Sequence, residues 1–86
     1  MANVNGILGR QEVQKLAFSG AVRSVQIVAY QDGFAVLLGV FDSMSQTVRF
    51  KCMTKSQSLE VRVFRSLNTA YGEIRQWWGD TVEVIA

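Results

Sequence analysis

The chain has 86 residues, 49% of them hydrophobic and 19% charged, with nine Lys and Arg against seven Asp and Glu for a net charge of +2. That length makes a single domain, residues 1–86, which hides only about 60 to 65% of its unfolded surface, so the apolar excess predicts a homo-oligomer, and a homodimer is the form expected. One cysteine, Cys52, and no histidine argue against an internal disulfide, a zinc cluster and the usual neutral-pH acid or base, so neither a cofactor nor a metal nor enzymatic activity is expected.

The N-terminal Met1-Ala2-Asn3-Val4-Asn5-Gly6 lacks the basic and long apolar regions of a secretory signal. No apolar run approaches the length of a spanning helix, and a cytoplasmic protein without a membrane partner is expected. The spacing then predicts a short amphipathic helix from Gly9 to Phe18, with Val13, Leu16 and Ala17 on one face, ended by Ser19-Gly20. From Val22 to Tyr30 the period shifts to two, with Val25, Ile27 and Ala29 on one side. Gln31-Asp32-Gly33 follows, and the Asp-Gly pair predicts a hairpin turn with positive φ angles. Phe34 to Phe41 is almost continuously apolar, which predicts a strand buried on both faces, in the sheet centre or in an oligomer interface. Val36, Leu38 and Val40 are its candidate interface residues, joined by Trp78.

Asp42 to Gln46 predicts a loop. Thr47 to Thr54 alternates, with Val48, Phe50 and Cys52 facing one way and Arg49, Lys51 and Met53 the other. After a turn at Lys55 to Ser58, Leu59, Val61 and Val63 predict a fourth strand. Ser66 then caps a helix whose stripe runs Leu67, Ala70, Tyr71, Ile74, Trp77 and Trp78, with Gly79 as the break. Thr81 to Ala86 predicts a last strand at a sheet edge. The expected fold is therefore α+β: a four- to five-stranded antiparallel meander, with the C-terminal-half helix packed on one face and a short N-terminal helix beside it.

Chemistry concentrates between Thr47 and Arg65, where Arg49, Lys51, Lys55, Arg62 and Arg65 are opposed only by Glu60, a local charge of +4. Such a face is either a solvated outer sheet surface or a track for phosphates, on which Tyr30 and Phe34 would serve as stacking groups. Cys52 shares a face with Val48 and Phe50 and reads as a buried thiol rather than a nucleophile. The acidic residues form no metal-binding spacing.

The run from Arg49-Phe50-Lys51 to Gly79, above all Val63-Phe64-Arg65-Ser66-Leu67-Asn68-Thr69-Ala70, resembles small plasmid-encoded accessory proteins of the ParC-like, partition-associated type. In these a strand with a basic-aromatic pair leads into a Ser-Leu-x-x-Ala helix and a final Val-rich strand. A meander followed by a helix is also similar to the transcriptional-coactivator type of single-stranded-DNA-binding fold. Both resemblances imply a DNA-associated accessory or transcription-regulator-like protein of a plasmid or mobile element, binding single-stranded more than double-stranded DNA as a dimer. The alternative is a protein-interaction module without a nucleic-acid role.

Overall fold

The computed structural model describes residues 4–54 and 60–85. Seven elements follow one another: β1 (Val4–Leu8), α1 (Arg10–Phe18), β2 (Val22–Tyr30), β3 (Gly33–Asp42), β4 (Thr47–Met53), α2 (Leu67–Ile74) and β5 (Val82–Ile85). They build a five-stranded sheet in the order β1-β4-β3-β2-β5. The α+β class, both helices and the edge position of the last strand are as the periodicities predict.

The sheet is mixed rather than a plain meander. β2-β3-β4 is antiparallel, but β1 runs parallel to β4 and β5 parallel to β2, so β3 alone opposes the other four. β1 carries Asn5 and Gly6 in a five-residue stretch, too short and too interrupted to announce itself by alternation; it pairs with a register shift between Val4 and Ile7. Of the fourth strand expected from Leu59 to Val63, Leu59 lies outside the described residues, and residues 60–63 form no strand: they make only the isolated bridge Thr54↔Val61, followed by Phe34↔Phe64. The reason is topological. Beyond Met53 the chain returns across the end of β4 to the start of β3, so Arg62 N–H donates to Met53 C=O at 2.9 Å and Phe64 exchanges two 2.8 Å bonds with Phe34.

That crossing also explains Gly33. The positive φ of the β2-β3 turn falls on Gln31, at 51°, whereas Gly33 opens β3 opposite Tyr30. A Cβ at Gly33 would lie 2.2 Å from the Phe64 carbonyl oxygen and 2.8 Å from Val63 Cγ1. The glycine is there for close backbone approach. Gly20, by contrast, takes φ +83° at the end of α1, where Ala21 N–H reaches Leu16 C=O at 3.0 Å.

One face of the sheet carries both helices. Val25, Ile27, Val36, Leu38, Val40 and Met53 meet Val13 of α1, Ala70 and Ile74 of α2, and Phe64 and Trp77. Burying each of the larger aliphatic side chains contributes about 1.5 to 3 kcal/mol, and this is what sustains two helices too short to persist alone. On the opposite face a smaller cluster joins Ala35, Leu37 and Cys52 with the half-buried Val28, Tyr30, Phe50 and Val61. β3 is thus buried on both faces within one chain. Val36 and Leu38 have 0% exposure and Val40 6%, all beneath the helices, so they present no surface to a second copy and their place as interface residues is corrected.

α2 is shorter than its apolar stripe. Its helical turns stop at Ile74, whose carbonyl accepts from both Trp77 N–H (3.1 Å) and Trp78 N–H (2.8 Å). Adjacent residues on a continuous helix point about 100° apart; tightening the last turn sends Trp77 into the core and leaves Trp78 half-buried, toward β5. At the other end the Ser66 hydroxyl accepts from Thr69 N–H at 3.2 Å, the expected N-cap. Ser66→Ala is expected to cost about 1 kcal/mol, measured as a lower denaturant midpoint at unchanged slope.

Candidate docking edge and the basic residues

β5 covers only part of β2. Val82 to Ile85 pair with Val25 to Val28, leaving the first residues of β2 without a strand on the side away from β3. On that side the chain leaving α2 passes through Trp78, Asp80 and Thr81 before entering the sheet as β5. The gap is a cleft of about 220 Å³ lined by Arg23, Ser24, Val25, Gln26, Trp78, Asp80, Thr81 and Glu83. Its wall is held by two local bonds. Trp78 Nε1–H donates to Thr81 C=O at 3.0 Å, fixing the indole plane, and Asp80 Oδ1 accepts from Thr81 N–H at 2.7 Å. The Arg23 guanidinium stacks 4.8 Å from the centroid of Phe41, which is not part of the cleft.

β5 is the last strand of the sheet, and among the described residues nothing pairs with its outer side. Val84 and Ile85 are 49% and 45% exposed. The strand has no lysine, proline or bulge; what guards this edge is its four-residue length and the single charge of Glu83.

The basic residues do not converge as a phosphate track requires. Arg49 pairs with Val40 and Lys51 with Leu38, so both side chains lie on the helix-bearing face, not on a bare outer sheet face. Arg49 Nε lies 3.3 Å from Asp42 Oδ2. Arg62 is engaged twice, its Nη1 3.4 Å from Glu73 Oε1 and its guanidinium 4.6 Å from the Phe64 ring centroid. Arg65 is exposed just before α2, and Lys55 falls outside the described residues. The two expected stacking groups separate as well. Tyr30 lies against the Leu37-Cys52 cluster, while Phe34 packs on the other side of the sheet against the main core and bridges Phe64. Trp78, expected at an oligomer contact or over a sheet edge, lines the cleft at the β5 edge.

What the sequence did not signal is the hub at Glu73. This carboxylate is only 7% exposed; its Oε2 is 3.2 Å from Arg10 Nε and accepts from Trp77 Nε1–H at 3.2 Å, while Oε1 faces Arg62. Arg10 also donates to Gln76. Three separate segments, α1, α2 and the 61–64 crossing, are joined at one side chain. The only trace of it in the sequence is the four-residue spacing of Glu73 and Trp77 within the apolar stripe.

Two ionisable groups have definite environments. At the β3-β4 turn the Met44 N–H (3.0 Å), the Ser45 hydroxyl (3.1 Å) and, more weakly, Arg49 hold the Asp42 carboxyl below its ordinary range. The ionised form is favoured in the fold, so these turn bonds are present at neutral pH and lost as the pH falls through the lowered value. An NMR titration of Asp42 should show a midpoint below that of a free aspartate, raised more by Ser45→Ala than by Arg49→Ala. Burial pushes the Cys52 thiol up, which keeps it protonated and unreactive at neutral pH.

No helix among the described residues is long and apolar enough to cross a membrane, and no group of three or more potential metal ligands occurs among them. Comparison with protein-family models, with curated proteins and with solved structures found no match to this chain.

Proposed function

We propose that the chain is a protein-docking module that receives an extended segment of a partner along the outer side of β5. The observation that carries this reading is an edge strand with no partner on its outer side among the described residues and with Val84 and Ile85 exposed on its two faces. Strand addition to such an edge takes its affinity from main-chain hydrogen bonds and its selectivity from pockets for alternate side chains. Selection from a library of extended peptides, followed by amide-exchange mapping, tests it. Selected peptides should slow exchange in Val82 to Ile85, and Val84→Pro should abolish the effect. Peptides whose contacts map instead to Phe41, Val48 and Phe50 would sink the proposal. A concentration-dependent dimer whose exchange protection falls on β5 would identify the partner as a second copy.

The DNA-associated, plasmid-type role is retained as a second reading on one observation: Arg49 and Lys51 share a face of β4, with Arg49 held only by a surface pair that contributes little. Fluorescence anisotropy with single- and double-stranded DNA tests it. This role requires binding that weakens steeply with salt and falls in the Arg49→Ala/Lys51→Ala double variant.

A further inference from the structure

The two faces of the sheet are covered unequally. Both helices pack on the side of Val36, Leu38 and Val40, and among the described residues no helix packs on the other. On that other side the registers place Val28 and Tyr30 of β2, Phe41 of β3, Val48 and Phe50 of β4 and Ile85 of β5. Val28, Tyr30 and Phe50 pack over Ala35, Leu37 and Cys52, so these three are buried within the chain, but the covering side chains keep surface of their own. Val48 and Ile85 add more, at 44% and 45% exposure. An apolar sheet face ordinarily packs against a second layer, and this one is left open by the chain's own helices.

The composition of that face selects what can cover it. The charged residues that β2 to β5 place there are Arg23, turned onto this side at the register shift between Val22 and Ser24 and stacked on Phe41, and Glu83, beside Gln26. A single cation and a single anion make neither a phosphate track nor a patch for a strongly charged partner. An extended segment gains nothing here either, because the main-chain groups of a sheet are spent in its ladders and strand addition uses edges. A second sheet is the surface that fits, packed about 10 Å away with its strands within about 30°. Five strands of four to ten residues, at about 3.4 Å per residue and about 4.8 Å between strands, give the face roughly 550 Å² in projection. Side-chain relief makes the accessible area larger, close to the roughly 800 Å² that each partner brings to a stable interface.

The registers also fix where the two charges would meet. Ser24, Gly39 and Phe50 form one row across β2, β3 and β4; Phe41 and Val48 lie in the next row on one side, and Gln26, Leu37, Cys52 and Glu83 in the next row on the other. A two-fold axis along the Ser24-Gly39-Phe50 row exchanges those outer rows. It sets Arg23, above Phe41, against Glu83 of the second copy and the reverse, and it lays Phe50 on Phe50 of the second copy. Neither Arg23 nor Glu83 makes an ion pair among the described residues of its own chain. A planar guanidinium stacked on a ring keeps its N–H edge for a carboxylate. We infer that the uncovered face is the contact between two copies of this chain, a helix-sheet-sheet-helix dimer closed by reciprocal Arg23-Glu83 pairs. The inference is independent of strand addition at β5, which uses the edge of the sheet.

Sedimentation equilibrium of the whole chain from micromolar to millimolar concentration tests it, with proton–nitrogen NMR spectra to confirm that each variant is folded. The expected result is a monomer–dimer equilibrium that Val48→Lys abolishes in this range, since Val48 is exposed in one copy and the new ammonium would be buried without a partner against the Leu37-Cys52 row of the other. Glu83→Arg should weaken the dimer about ten-fold, as two like-charge contacts replace two exposed pairs, and Arg23→Glu combined with Glu83→Arg should return it to within about three-fold of the parent. Isotope-filtered NOEs in a mixture of labelled and unlabelled chain should join Val48 of one copy to Cys52 of the other. A monomer at every concentration, a dimer indifferent to Val48→Lys, or a charge-swapped chain that dimerises no better than Glu83→Arg alone overturns the inference. A dimer that persists in Val48→Lys and protects the outer amides of Val82 to Ile85 puts the second copy on the β5 edge instead. Peptides that pair with β5 in a chain that stays monomeric overturn the sheet-face contact and leave the docking reading standing.

Discussion

Gly33→Ala is expected to destabilise the chain by about 3 kcal/mol, from overpacking plus two lost hydrogen bonds. The added methyl would fall 2.2 Å from a main-chain oxygen, that of Phe64, and no rotamer change relieves a clash with backbone. Either β3 or the 61–64 crossing must move, and both Phe34-Phe64 hydrogen bonds go with the displacement. A domain of this size has a total stability of about 5 kcal/mol or a little more, so the variant should be marginal at room temperature. Gly72→Ala is the matched control: nothing lies within 4 Å of where its methyl would sit, it is exposed on α2, and alanine there should stabilise by up to about 1 kcal/mol. Chemical denaturation of the pair decides the matter. A Gly33→Ala midpoint indistinguishable from the parent would mean that the crossing is not held as described.

Glu73→Ala is expected to cost about 2 to 3 kcal/mol, because it strands two guanidinium groups and a buried indole N–H at once. The figure is below the range for fully buried pairs because Arg10 and Arg62 keep 46% and 35% of their side chains in solvent and re-hydrate when released. Glu73→Gln should lose less, since the amide oxygen still accepts from Trp77. A double-mutant cycle with Arg62→Ala should give a coupling well above the few tenths of a kcal/mol found for independent sites. Purely additive effects would reduce the hub to a chance meeting of surface charges.

Much of the fold was legible because its signals are local. Val22 to Tyr30 alternates, Phe34 to Phe41 is continuously apolar, and Ser66 precedes a helical stripe; each matches an element within a residue or two at its start. The parts that escaped depend on chain segments far apart in sequence. β1 becomes a strand only because β4 lies beside it, and residues 60–63 fail to become one because the route back to β3 passes over the end of β4. The basic cluster shows the same limit. Counting charges in a linear window put Arg49, Lys51, Arg62 and Arg65 together, yet Arg62 is turned to an acid on α2 that lies outside the window. Trp78 was the productive ambiguity: the doubled tryptophan forced one ring out of the core, and that ring is now the wall of the cleft.

The parallel edges carry a consequence for how the chain assembles and opens. The β2-β3 and β3-β4 pairings join near neighbours in sequence, so a three-stranded centre forms with little loop-closure entropy. β5 must instead close on β2 across a long loop, Val82 meeting Val25, with α2 between them in sequence. Short, singly paired and closed across a long loop, β5 should have amides that exchange by a low-energy opening, with β3 protected up to global unfolding. A partner pairing along β5 would therefore hold an easily opened edge of the sheet, and its affinity would be felt as added stability of the whole fold.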